Sequence, residues 1–307
     1  MPNKKKNEPE EEDLDEMEME PTRAESKESK ESKEEKKEKK KEEKWETITQ
    51  LRIEVDFWKT GLHGKKIGIR QKDQQMAKSR QFSKDMNIYG DVKIGGETEG
   101  HIGFRTNEWE TEDIEKGELA RLVIRYFSES DRWKASIEQN NIKSVMLSMG
   151  YERGTPVFDL FHQGNKNVFS LEKIERGSGS MDRVMVPLIL QTDSKTIDYF
   201  IIAEKRFSMG SDWKLYRANQ EKKELASFDS KKFNIGGKVV IDVYDPALVK
   251  NKIFINTLIL FGALIKFWDE VVEKLKDFSK KFRKDEIPFN PDRNELALML
   301  NPRGKRA

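Results

Sequence analysis

Few residues in this chain are of a type that does chemistry. None of its 307 residues is cysteine, which removes thiolate nucleophiles, cysteine-based zinc sites, disulfides and palmitoylation together. The three histidines, His63, His101 and His162, are too scattered to argue a metal site or a triad from spacing, and they read as ordinary surface or hairpin residues. Gly177 to Ser180 reads Gly-Ser-Gly-Ser, but no strand-turn-helix setting with a lysine surrounds it, so it reads as a linker and not a phosphate loop. Glu110, Glu112 and Asp113 cluster in a polar stretch where charge costs little. In TGLHGKKIGIRQ, Gly61 and Gly64 followed by Lys65 and Lys66 resemble a GxxG clamp on a nucleic-acid backbone, although a hairpin turn explains them better. No stretch gathers a nucleophile, a base and an oxyanion donor, so the expectation is a noncatalytic protein with no cofactor and no metal.

Charge is distributed unevenly. Of 58 basic and 56 acidic residues, 13 and 17 fall in the first 44, which leaves 45 and 39 for the remainder, a net charge of about +6 there. The repeated block ESKESKESKEEKKEKKKEEK has too little apolar surface to offset chain entropy, so residues 1–44 read as a disordered charged tail. The start of the chain lacks the apolar run of a signal peptide and is too acidic for a mitochondrial presequence. Together with the missing cysteines this points to the cytoplasm, a peripheral membrane position or the nucleus.

The texture changes at Trp45. TITQLRIEVDFW alternates apolar and polar residues with the period of a half-buried strand. LARLVIRYF, WKASIEQ, SVMLSMGY, VMVPLIL, TIDYFIIAEKRF and GGKVVIDVY have strand length and strand composition, and clusters of Gly, Asn, Asp and Ser separate them. In VFDLFHQGNKNVFSL the turn falls at Gly164 and Asn165, which tolerate positive φ. Residues 251–286 break this pattern with a helix in two halves. Ile253 to Ile265 is apolar nearly all round and must be enclosed by nonpolar matter, while Trp268, Val271, Leu275, Phe278 and Phe282 form a stripe on a charged second half. Thirteen residues at about 1.5 Å each span about 20 Å, short of the roughly 30 Å of bilayer hydrocarbon, so a core helix is expected in place of a membrane span. The fold class expected is mainly β, a closed antiparallel barrel threaded by this hydrophobic helix. The organisation expected is a tail at 1–44, a barrel with its central helix at 45–265, an amphipathic extension at 266–287 and a flexible tail at 288–307.

One unit occurs twice. RYFSESDRWK from Arg125 and KRFSMGSDWKLY from Lys205 share a basic residue, Phe-Ser and a Trp-Lys at equal spacing, and RQFSKDMNIYGD from Arg80 is a poorer third copy. This unit, followed by KLYRANQEKKELASFDSKKFNI, resembles the repeated strand pair of the tubby-like superfamily, which includes the LURP-one-related proteins and the phospholipid scramblases. The ending VVIDVYDPALVKNKIFINTLILFGALIKFWDE is similar to the strand, turn and barrel-threading helix of that group. The resemblance covers about Arg121 to Glu270, and Trp45 to Ala120 by architecture only. Each copy then reads as a strand end, a tight turn and a re-entry whose Trp, 133 or 213, points into the core.

The resemblance implies a nonenzymatic barrel. By analogy with the tubby branch, Lys205, Arg206, Lys214, Arg217, Lys231 and Lys232 are the candidates for lipid or phosphate binding, through charge-assisted bonds to phosphate oxygens. The scramblase branch implies calcium ligands just before the helix, but Asp229 is followed by Lys231 where a second acidic residue is needed, so no calcium site is expected. The stripe Trp268, Val271, Leu275, Phe278 and Phe282 either lies against a membrane or a partner, or folds back across the barrel mouth. The function expected is an adaptor that associates with anionic, phosphoinositide-like membrane lipids or with a protein partner. The alternative is a nucleic-acid-binding or viral-type structural protein that uses its basic surface and charged tail.

Overall fold

Period-two alternation becomes wall. In β1 (Leu51–Phe57), Ile53 and Val55 are buried, while Arg52 faces outward and holds Asp242 through two hydrogen bonds of 2.8 and 3.1 Å. The computed structural model describes residues 48–57, 86–110, 112–130, 132–174, 184–192, 196–205, 212–221, 223–230 and 237–300. Eleven more strands follow: β2 (Met86–Ile94), β3 (Glu97–Arg105), β4 (Val123–Ser128), β5 (Trp133–Gln139), β6 (Val157–His162), β7 (Phe169–Glu172), β8 (Met185–Gln191), β9 (Ile197–Glu204), β10 (Trp213–Arg217), β11 (Glu224–Asp229) and β12 (Lys238–Val243). Each pairs antiparallel with the next, and β12 pairs with β1 (Ile53 opposite Ile241, Val55 opposite Val239), so the sheet closes into a twelve-stranded barrel without edges. Gly164 turns the β6–β7 connection at φ 74°, as the sequence suggested.

Among the described residues, five α-helices accompany the barrel: α1 (Thr106–Glu110), α2 (Asn141–Tyr151), α3 (Lys252–Ile265), α4 (Trp268–Arg283) and α5 (Arg293–Leu300). The apolar helix is α3. Asn251 caps it by accepting the Phe254 N–H at 2.9 Å. Its neighbours come from all round the ring: β1, β12, β4, β5 and β6 pack on it, Phe254 meets Phe200 of β9, and Phe261 meets Trp213 of β10 and Phe228 of β11. A helix touched from all these directions fills the lumen, and its all-round apolarity follows. At Gly262 the helix closes on β12, where a Cβ would lie 2.9 Å from Cδ1 of Ile241. No helix among the described residues is long and apolar enough to cross a membrane.

Four expectations need correction. SVMLSMGY, which reads as a strand, is the body of the helix α2, whose first turn is capped by Asn140 accepting the Lys143 N–H at 3.0 Å. The apolar helix does not run on as one rod: it breaks at Lys266 and Phe267, because Phe267 is drawn fully into the core between Phe104 and Trp109, at ring separations of 5.5 Å each. Of the flexible tail expected at 288–307, the described residues 288–300 are held in place: Phe289 packs on Phe278 and Phe282, Asn290 bonds across to Gly117 and Lys116, and α5 docks beyond them. Trp213 points into the core, on Phe261 and Trp268, but Trp133 joins Phe127 and Phe161 in a separate cluster. Its neighbours Ala135 and Ile137 face the main core; a β-bulge at Tyr126 and Phe127 resets the register and turns Trp133 away.

Candidate interaction surface

Of the six basic residues singled out by sequence, Lys205, Lys214 and Arg217 are described. Lys205, just past β9, gives its Nζ to Glu224 Oε1 at 3.0 Å. Arg217 lies at the rim of the barrel over the Phe200 ring, with Nε 3.2 Å from Asp198 Oδ1 and Nη1 3.6 Å from Asp245 Oδ2. Both cations already have carboxylate partners, so an incoming phosphate would have to compete with them. Lys214 differs. It points outward from β10, and its Nζ sits 5.1 Å from the centroid of the Tyr216 ring. Arg206, Lys231 and Lys232 lie outside the described residues, as do His63, the Gly61 to Lys66 stretch and Gly177 to Ser180.

The apolar stripe of the second helix half is consumed internally. Trp268 plugs the barrel mouth against Trp213, Phe261 and Phe158, and Val271, Leu275 and Phe278 are fully buried where α4 packs along α2. Phe282 is half-buried on Phe278 and Phe289. Lys274 pins α4 to Glu112 at 2.5 Å and lies over the Trp109 ring. Trp268, Val271, Leu275 and Phe278 are therefore part of the core, with Phe282 packed at its edge, and this is the alternative in which the stripe folds back on the barrel mouth.

Two histidines read as surface residues are buried. His101 bonds through Nδ1 to Asp91 Oδ1 at 3.2 Å. His162 points into the lumen, where Nε2 meets Thr257 Oγ1 of α3 at 3.2 Å, and burial pushes its pKa down to about 4. Among the described residues no group of His, Asp and Glu is arranged to hold a metal ion.

A second polar layer was not visible in the sequence. Arg121, almost wholly buried, donates to Glu108 Oε2 at 2.7 Å, to Glu138 Oε2 at 2.8 Å and to the Gln139 carbonyl at 3.0 Å. Arg105 pairs with Glu108, and Arg125 lies 3.8 Å from Glu138 Oε1. Despite the desolvation that opposes it, the two glutamates hold the Arg121 guanidinium above its ordinary range. Arg105 of β3, Glu108 of α1, Arg121 before β4, Arg125 of β4 and Glu138 of β5 come from separate stretches, and apart from the three-residue spacing of Arg105 and Glu108 no local pattern announces them.

The exposed surface that stands out lies on β8 and β9. Their register places Pro187 opposite Ile201, Ile189 opposite Tyr199 and Gln191 opposite Ile197, and these side chains alternate with the inward Val186, Leu188, Leu190, Phe200 and Ile202. Ile189 is 54%, Tyr199 46% and Ile197 72% exposed, while Met185, Ala203 and Tyr216 continue the same face as a small covered cluster. Lys214 borders it through Tyr216. An outward wall with hardly a charge along two strands is uncommon on a soluble barrel. Its sequence signal was present: VMVPLIL and YFIIA are continuous apolar runs, where a strand with one wet face alternates. Compared with models of protein families, with curated proteins and with solved structures, the chain matches none.

Proposed function

We propose that this chain is a noncatalytic binding protein that sets the outer wall of β8 to β10 against an anionic membrane surface. The observation that carries the reading is the continuity of the wall: Pro187, Ile189, Ile197, Tyr199 and Ile201 form one apolar field with Lys214 and Tyr216 at its border. Exposed isoleucines such as Ile189 and Ile197 gain roughly 1 kcal/mol or more each on leaving water, and a lysine near an anionic headgroup layer adds about 1 kcal/mol. A tyrosine with a wet hydroxyl and an apolar ring suits the headgroup boundary. The resemblance to the tubby-like superfamily supports the same reading, since a closed antiparallel barrel around a C-terminal helix is the architecture it implies. Of the basic set named from sequence, Lys205 and Arg217 are engaged by Glu224, Asp198 and Asp245, so the reading places its weight on Lys214.

Flotation of the full-length protein with vesicles tests this. Wild type is expected to float with phosphatidylserine or phosphoinositide vesicles at low salt and to stay behind with neutral ones. Ile189→Glu combined with Tyr199→Glu should cut the bound fraction about tenfold or more at unchanged thermal stability, since both side chains are solvent-facing. Lys214→Glu should give a smaller loss that vanishes as salt rises. Flotation that ignores the double substitution, or no flotation of wild type at all, sinks the proposal; the second result would turn attention to a protein partner for the same wall.

A further inference from the structure

The C-terminal helix is held by a carboxyl in an unusual place. Glu295 of α5 is almost wholly buried. Its Oε1 accepts the N–H of Ile142, in the first turn of α2, at 2.7 Å, and its Oε2 has no hydrogen-bond partner among the described residues. A second tie of this helix is Asn294, which donates to Glu108 Oε1 at 3.0 Å. A buried carboxylate with one bare oxygen is costly, and its natural remedy is a proton.

The surrounding charges favour that proton. Arg121, in the segment leading to β4, is the cation facing Glu295, but Glu108 and Glu138 already share its charge at 2.7 and 2.8 Å. Asp292 from the strap before α5 and Asp159 from β6 face the carboxyl with like charge. Arg105 and Arg125 lie behind the two glutamates, and Lys143 of α2 and Arg293 of α5 are exposed. Desolvation outweighs the Ile142 N–H and Arg121, and lifts the Glu295 pKa from 4.5 to about 7.

We propose that Glu295 is a proton-controlled latch: α5 and the strap of residues 284–292 stay docked on α2 while the carboxyl carries its proton, and they loosen when it ionises. The sign follows from linkage. The docked state binds the proton more tightly than the free segment, so docking is strongest below the free-state value and weakens as pH rises through the docked one. From about pH 6 to about pH 8 the docking constant falls about tenfold.

Hydrogen exchange on the full-length protein reads this directly. After correction for intrinsic rates, the amides of Ile142 and of residues 293–300 should open about tenfold more at about pH 8 than at about pH 6, with the amides of α3 as an unchanging reference. Glu295→Gln keeps the acceptor for Ile142 and removes the charge, so its protection should be the same at both pH values. Asn290→Ala, which deletes the strap's bond to the Lys116 carbonyl, should raise exchange at both and keep the tenfold ratio. A wild type without the ratio, or a Glu295→Gln protein that retains it, overturns the latch; should Glu295→Gln not fold, loss of the ratio in Asn290→Ala does so.

Discussion

His162 shows what burial does to one side chain. It faces α3 from the barrel wall, bonded to Thr257, with its other ring nitrogen buried and without a hydrogen-bond partner among the described residues, and its pKa falls from 6.5 to about 4. The folded state therefore binds the proton less tightly than the unfolded chain. Stability is full above the unfolded value, near pH 6.5, and drains away as pH falls toward 4, by roughly 3 kcal/mol at most. In urea titrations at about pH 4.5 and about pH 7, His162→Gln should narrow the gap between the two midpoints, and a wild type with equal midpoints would refute the assignment. Glu295 acts with the opposite sign and on a local segment, so exchange at α5 separates the two effects. Sequence spacing could not reveal either group. A histidine in a strand betrays its facing only once the register is known, and the partner of Glu295 lies 153 residues away in the chain.

Single positions at the scale of elements decide how closely the parts fit. Gly262 lets α3 approach β12, and Ile241 and Val239 occupy the space a side chain would need. Gly262→Leu should push the helix off that wall and cost about 1–3 kcal/mol in chemical denaturation, despite the better helix propensity of leucine. A variant as stable as wild type would mean that the lumen has room to spare. The strands and the apolar helix were legible because their period and composition are local properties: alternation in LRIEVDF becomes β1, and the uninterrupted run from Ile253 becomes α3. The destination of the amphipathic half was not legible, because a stripe of Val271, Leu275 and Phe278 looks the same whether it meets lipid, a partner or α2. The β8 and β9 wall was half legible. Its apolar runs were plain, but telling a doubly buried strand from an exposed apolar face needs the neighbours that cover it or fail to.

Closure of the whole molecule depends on its last third. β1 finds its partner β12 only after nearly the entire barrel has been made, with Arg52 paired to Asp242 at a separation of 190 residues. The core is then supplied from beyond the final strand: Phe254, Leu258, Phe261 and Leu264 fill a lumen that the strands alone would leave hollow. An unfilled lumen would leave the inward Val, Ile, Leu and Phe of the ring without packing partners, and those lost contacts favour collapse over an open ring. The barrel and α3 should therefore fold as one cooperative unit, and slowly, since the contacts that stabilise it are distant in sequence. A chain ending at Lys250 contains all twelve strands yet should fail to form the barrel, giving collapsed or aggregated protein with poor dispersion in its amide NMR spectrum. A chain ending at Arg283 keeps α3 and the α4 plug and should fold with native dispersion, although it lacks the strap and α5. If the chain ending at Lys250 instead showed a dispersed spectrum and a cooperative melt, the ring would be self-sufficient, and α3 would be an occupant of the lumen and not the condition for closing it.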